Sequence, residues 1–249
     1  MLDGWKARRP KRGACGGPPL EDNERHMRSY FVTATGTDVG KTFVTAGLIR
    51  AVRKAGRQAS AIKPIMSGYN PEKPEGCDAG ILLAAMNKPV SEQTVAAISP
   101  WRYRAAISPD MAAAAEGRVI SLPHVLTFCR AAAASAPDLM FVEGVGGAMV
   151  PLDSWHTVRD LIAGLQMPAL LVSGSYLGSI SHVLTAADCL SGRGILIAGI
   201  VISESESAPV PPEEMAGTVT KFLPRLPIHI IPRRANELAF DKLVFALDK

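Results

Sequence analysis

The sequence contains no apolar run near the ~18 residues that a membrane-spanning helix needs, so no membrane span is expected. Its first residues hold no apolar stretch of the secretory-signal kind. Cysteine is sparse: Cys15, Cys77, Cys129 and Cys189 are scattered, with no C-x-x-C pair and no neighbouring histidine ladder. That argues against a zinc site or a disulfide framework and fits a reducing, cytoplasmic compartment. Internal repeats and obvious linkers are missing, and one main domain is expected.

Charge is also scarce, at 20% of residues, with a formal net charge of +4. Residues 1–28 carry seven basic side chains against four acidic ones, which leaves 20 basic and 19 acidic groups in residues 29–249. The body is nearly neutral, so it lacks the basic face of a nucleic-acid-binding domain. Residues 1–28 read as a disordered N-terminal extension, too acidic around Glu21-Asp22-Asn23-Glu24 for a transit peptide. Met27 sits just before the first strand, and residues 1–26 are expected to be dispensable.

What is present is apolar material, 47% of the chain, in alternating strand and helix patterns. Strands are expected at Tyr30–Ala34, Ala59–Ile62, Leu139–Val142, Ala169–Val172, Ile195–Ile202 and Ile228–Ile231. Helices are expected at Thr42–Ala55, Asp78–Met86, Met111–Glu116, Leu122–Ala134, Val158–Leu165, Ile180–Leu190, Pro212–Phe222 and Leu238–Leu247. The strands are apolar throughout rather than alternating, as expected when helices cover both faces of a parallel sheet. The fold class is therefore α/β over residues 29–249.

The strongest local signal is Val32-Thr33-Ala34-Thr35-Gly36-Thr37-Asp38-Val39-Gly40-Lys41-Thr42, between a strand and a helix. This is the context of a phosphate-binding loop. Small residues let backbone N–H groups turn toward phosphate oxygens, and the helix start adds partial positive charge. Lys41 can reach the β- and γ-phosphates, and the Thr42 hydroxyl can ligate Mg²⁺. The G-x-x-x-x-G-K-[ST] match is imperfect, because Thr35 stands where the first glycine belongs. Either the loop begins at Ala34, or Gly36 serves as the turn glycine.

Three further polar islands lie at strand ends: Lys63-Pro64-Ile65-Met66-Ser67-Gly68, Glu143-Gly144-Val145-Gly146-Gly147 and Gly178-Ser179-Ile180-Ser181-His182. In open α/β sheets ligands bind outside the carboxyl ends of strands, so Lys41, Lys63 and Glu143 should converge on one crevice. Glu143 reads as an acidic Mg²⁺ ligand, with a capping or salt-bridge role as the alternative. Asp78 is either a second carboxylate ligand or the N-cap of the following helix, and sequence slightly favours the cap. Lys63, between an apolar strand and a proline, is expected to face the site. His182 has no metal-spaced partner and reads as structural.

Taken together and in order, these motifs resemble the dethiobiotin synthetase family, from about Tyr30 to about Arg234. Cys77-Asp78-Ala79, Ile107-Ser108-Pro109, Glu116-Gly117-Arg118 and Pro151-Leu152 add to the match. The resemblance implies a P-loop three-layer fold with a mostly parallel, roughly seven-stranded sheet, and a homodimer. It implies conversion of 7,8-diaminononanoate, CO₂ and ATP to dethiobiotin, ADP and phosphate through a phosphorylated carbamate. On that pattern Lys41 and Lys63 are catalytic, and Thr42, Asp78 and Glu143 hold Mg²⁺. Thr37, Asp38, Val39, Gly40, Lys41, Thr42, Glu143, Gly146 and Ser203 bind nucleotide. Ser67 contacts the diamine or carbamate, and Gly178, Ser179, Ile180 and Ser181 receive the substrate carboxylate across the dimer. Ser203 departs from the family's adenine-reading Asn, and a hydroxyl cannot present an amide's paired donor and acceptor. Switch ATPases of the chromosome-partitioning kind resemble K-G-G-x-G-K-T, whose extra lysine is replaced here by Gly36. A glutaminase-linked ligase would need a second domain for which this chain is too short. A non-catalytic nucleotide-binding scaffold is a third rival, opposed by Lys41, Lys63 and Glu143.

Overall fold

The structure is a computed structural model that describes residues 28–136, 138–236 and 238–247. Residues 1–27, where the disordered-arm reading falls, lie outside the described residues. Arg28, assigned to that arm from sequence, is instead the first residue of β1 (Arg28–Ala34).

The chain then runs α1 (Lys41–Lys54), β2 (Ala59–Ile62), β3 (Ile65–Met66), α2 (Asp78–Ala85), α3 (Glu92–Ile98), β4 (Trp101–Arg102), α4 (Pro109–Ala115) and α5 (Leu122–Ala134). It continues with β5 (Leu139–Glu143), α6 (Val158–Leu165), β6 (Ala169–Gly174), α7 (Ser179–Ser191), β7 (Ile197–Ser203), α8 (Pro212–Phe222), β8 (Ile228–Ile231) and α9 (Leu238–Leu247). The main sheet has the order β2-β5-β1-β6-β7-β8, and its paired strands are all parallel. It has six strands among the described residues, which matches the expected mostly parallel sheet of roughly seven. Lys63-Pro64 ends β2, and the next extended pair, β3 with β4, forms a separate two-residue ladder.

The inner strands are buried along their length because helices lie on both faces, while the edge strand β8 is half-buried except at Ile231. Every residue of β5 and β6 is buried, with Phe141, Val142, Leu170, Leu171 and Val172 fully so. Removing that much apolar surface from water is the dominant favourable contribution to the fold. Helix α1 supplies a matching stripe of Val44, Leu48, Ile49, Ala51 and Val52. It ends where Gly56, at φ +76°, takes the left-handed turn expected of it.

Strand β1 lies between β5 and β6, so the chain leaves it toward one side for β2 and β5 and toward the other for β6 to β8. The loop after β1 is thus at the topological switch point, where open α/β sheets bind ligands. Helix α3 escaped sequence reading: it is one short stretch, started by a Ser91–Thr94 capping box rather than the usual Ser–Glu pair. Helix α4 begins at Pro109, two residues before the expected start, because proline is pre-shaped for the first helical turn.

Candidate active site

The loop between β1 and α1 is shaped for an anion. Asp38 and Gly40 both have positive φ, +55° and +96°. Gly40 caps α1 with no side-chain hydrogen bond, so the first N–H groups of the helix are left for a ligand. A Cβ at Gly40 would also lie 2.5 Å from Ser203 Oγ. Thr37 and Asp38 are exposed, whereas the Val39 side chain is buried in the core and leaves only its backbone to the loop.

A second loop, after β5, is fastened onto the first. Gly144 N–H donates to Val32 O at 2.9 Å, and Ala148 N–H to Ala34 O at 3.0 Å. A Cβ at Gly147 would meet Thr35 O at 3.2 Å and Gly36 N at 3.3 Å, so the glycine permits backbone-to-backbone approach.

Three strand ends bring the charged groups together. Thr42 Oγ1 donates to Glu143 Oε1 at 2.6 Å. Lys63 Nζ donates to the same oxygen and to Gly144 O, each at 2.9 Å, and pairs with Asp78 Oδ2 at 2.8 Å. An ammonium has three donors, and here all three are used. Lys63 is 2% exposed and Glu143 fully buried, so Lys63 faces inward to the site as expected from its place between an apolar strand and a proline. The cap reading of Asp78 is overturned. Cys77 caps α2 by accepting from Gly80 N–H, which leaves the Asp78 carboxylate free to meet Lys63.

Lys41 is folded over its own loop and donates to Gly36 O at 3.0 Å. Burial and the neighbouring Lys63 charge lower its pKa to about 8, against the opposing pull of Glu143, Asp78 and Asp38. Burial also presses on Lys63, but Glu143 and Asp78 outweigh it and hold its pKa above the ordinary lysine value. For Asp78, burial pushes upward, and Lys63 with help from Thr42 and Lys41 holds the carboxyl below its usual range.

A cleft of about 840 Å³ opens over these groups. Its polar lining is Thr37, Asp38, Gly40, Lys41, Thr42, Lys63 and Asp78, and its apolar lining includes Met66, Ile107, Pro109, Val145 and Val150. Ser67, Ser108 and Gly146 also line it. The β3–β4 excursion brings Met66, Ile107 and Pro109 to the cleft and is held by Gly68 N–H donating to Ala105 O and Tyr69 N–H to Tyr103 O. Glu143 lies beneath the cleft floor, reached through Thr42 and Lys63.

The donor set fits a hard cation. Glu143 Oε2 is a buried carboxylate oxygen with no hydrogen-bond partner. Together with the Thr42 hydroxyl and Asp78 it offers oxygen ligands of the type Mg²⁺ takes alongside phosphate oxygens and water. Among the described residues no group of three or more His, Cys, Asp or Glu could hold a metal alone. The fit is therefore to a metal shared with a phosphate ligand.

Two expected groups stand outside this cleft. Gly178, Ser179, Ile180 and Ser181, at the start of α7, do not line it. The Ser179 hydroxyl is buried and directed to Met215 Sδ at 3.3 Å. Ser203 backs Gly40 from the end of β7 and is 7% exposed. His182 bonds Tyr176 Oη through Nδ1 at 2.8 Å, a local pairing. Sequence reading missed Phe43 and Val150 as lining residues, because nothing in their spacing separates them from core positions.

No helix among the described residues is long and apolar enough to cross a membrane. Among solved structures, the cell division ATPase MinD of Pyrococcus furiosus superposes with a TM-score of 0.52 at 17% identity, covering 89% of this chain and 98% of that one. That likeness concerns the fold. A family model described as AAA domain matches residues 28–236. The ATP-dependent dethiobiotin synthetase BioD of Acidiphilium cryptum is 50% identical over 202 residues, 81% of this chain and 91% of its own length. The synthetases of the same name from Methylobacterium nodulans and Phenylobacterium zucineum are 44% and 42% identical. They cover 78% and 89% of this chain, and 89% and 95% of their own lengths. With its phosphate loop, its buried Lys63–Glu143 pair and this level of identity along most of its length, the chain belongs to the family of ATP-dependent dethiobiotin synthetases.

Proposed function

We propose that this enzyme carboxylates 7,8-diaminononanoate with CO₂ and closes the ureido ring of dethiobiotin at the expense of ATP. The observation that carries the reading is one cleft lined both by the cationic groups of the phosphate loop and by apolar side chains. A triphosphate and an alkyl diamine can lie there side by side. The names of the relatives support the same product and the same dependence on ATP.

In the proposed sequence one substrate amine adds to CO₂ and loses a proton, giving a carbamate. A carbamate oxygen attacks the γ-phosphorus and ADP leaves. The second amine attacks the carbonyl carbon, phosphate leaves, and the ring closes. Carbamate and triphosphate repel one another, so the site must supply positive charge to hold them in contact. Lys41 fills that role directly once it leaves the Gly36 carbonyl. Lys63 fills it as a fixed charge, since its protons are already held by Glu143, Asp78 and Gly144. Thr42, Asp78 and Glu143 would hold Mg²⁺, which neutralises charge on the β- and γ-phosphates when bound.

Ser67 lies in the cleft wall where the diamine or carbamate would pass. The start of α7, Gly178 to Ser181, would serve the substrate carboxylate of a second copy's cleft in a homodimer, since it does not line its own. Ser203, in place of an amide, would leave base selection weaker than in relatives with Asn. The reading places the enzyme in the cytoplasm and gives it no nucleic-acid partner. The test is phosphate release that requires both the diamine and bicarbonate, with ATP competed against CTP and GTP. Release without the diamine would sink the synthase reading, and a strong ATP preference would sink the weakened base selection.

A further inference from the structure

The family match ends at residue 236, and α9 begins at Leu238. Yet α9 reaches both elements that hold the phosphate loop. Its buried stripe is Phe240, Leu243, Val244 and Leu247, an i, i+3, i+4, i+7 pattern facing the domain. Phe240 sits on α1 where a side chain is missing: a Cβ at Gly47 would fall within the Phe240 ring. The same ring meets Phe43 edge to face, with centroids 5.7 Å apart and planes at 70°. At the other end of α9, Tyr30 Oη on β1 donates to Leu247 O at 2.7 Å.

Phe43 connects this helix to the site. It is only half-buried, lines the cleft, and follows Lys41 and Thr42 in the first turn of α1. That turn begins at a left-handed glycine with no side-chain cap, and Thr42 Oγ1 on Glu143 ties it to β5. The aromatic pair between α9 and the first turn adds a second tie, from the helix layer. A displacement of about 1 Å at a reacting centre is enough to cost on the order of a hundredfold in rate.

We propose that α9 is a clamp on the phosphate loop, and that Phe240 is a positioning residue for the nucleotide that acts through Phe43. The proposal rests on the reading of the loop as the ATP site. The variants Phe240→Leu and Phe43→Leu keep apolar bulk while removing the ring-to-ring contact. In the full chain, Mg-ATP affinity is measured by calorimetry without diamine, and KM is measured for each substrate. Each single variant is expected to weaken ATP binding about tenfold and to leave the KM for the diamine within about twofold. The double variant should bind ATP no worse than about the weaker single, because both changes remove one contact. Leu243→Ala, in the same buried stripe but off the cleft, should lower the thermal midpoint and leave ATP affinity unchanged.

A lowered midpoint with unchanged ATP affinity in Phe240→Leu would make it a core residue and overturn the clamp. So would losses that multiply in the double variant. If Phe240→Leu fails to fold, Phe43→Leu decides alone, and unchanged affinity there overturns the proposal. Because ATP binding is read without diamine, a wild-type enzyme that binds ATP but ignores the diamine would remove the synthase reading and leave the clamp standing.

Discussion

Replacing Lys63 by methionine separates charge from bulk at the centre of the site. Methionine fills the lysine stem, so no large cavity opens and the loss is mainly electrostatic. Glu143 Oε1 lies 2.9 Å from Lys63 Nζ, and at an effective dielectric of about 20 that attraction is roughly 6 kcal/mol before desolvation. Asp78, at 2.8 Å, adds less because its side chain is 41% exposed and partly screened by water. Removing one partner of a buried pair, after relaxation, costs about 3–5 kcal/mol. Lys63→Met should therefore lower the urea midpoint by that equivalent with an unchanged m-value. The double variant Lys63→Met/Glu143→Gln, which leaves no unpaired buried charge on the strand end, should recover at least half of the loss. Neither should turn over. A single variant within about 1 kcal/mol of wild type would refute the buried-pair argument, as would a double variant no more stable than the single. The burial of Lys63 against Glu143 is why a substitution there should reach stability as well as turnover.

Lys41, with its pKa lowered to about 8, must be protonated to meet a triphosphate. The kcat/KM for ATP should be flat below that pH and fall about tenfold per unit above it, since this parameter reports the free enzyme; Lys41→Ala should lose turnover, and a flat profile to pH 9 in wild type would count against the assignment. Gly40→Ala forces a side chain into a φ of +96° and within 2.5 Å of Ser203 Oγ. It should cost about 1–2 kcal/mol in stability and weaken the thermal shift caused by Mg-ATP, and an unchanged shift would argue against a snug loop. Glu143→Gln removes the charge on the carboxylate whose Oε2 has no partner. The Mg²⁺ concentration for half-maximal turnover should rise about tenfold or more in a magnesium titration, and no change would exclude Glu143 from the metal site.

Much of the architecture was legible because parallel sheets leave a plain record. Apolar runs such as Leu139–Val142 must be buried on both faces, and Gly-Lys-Thr between a strand and a helix has few other uses. The same logic puts Lys41, Lys63 and Glu143 at the carboxyl edge of the sheet. Asp78 reads from sequence as either a second carboxylate ligand or the cap of its helix. Its role depends on Cys77 taking the cap, a competition between adjacent side chains that sequence leaves open.

Sequence by itself determined the order of the main-sheet strands and of the helices other than α3, the phosphate loop and the family, because local periodicity and contiguous motifs carry all three. Tertiary structure alone decided which groups share one proton donor or one wall. Glu143 meets Thr42 and Lys63 across 101 and 80 residues of chain, and the relevant separations are a few ångströms. It also decided that the start of α7 lies off its own cleft and that Phe240 presses on Phe43. These are consequences of how helices seat on a twisted sheet, where a missing Cβ at Gly47 selects the docking site and no local pattern announces it.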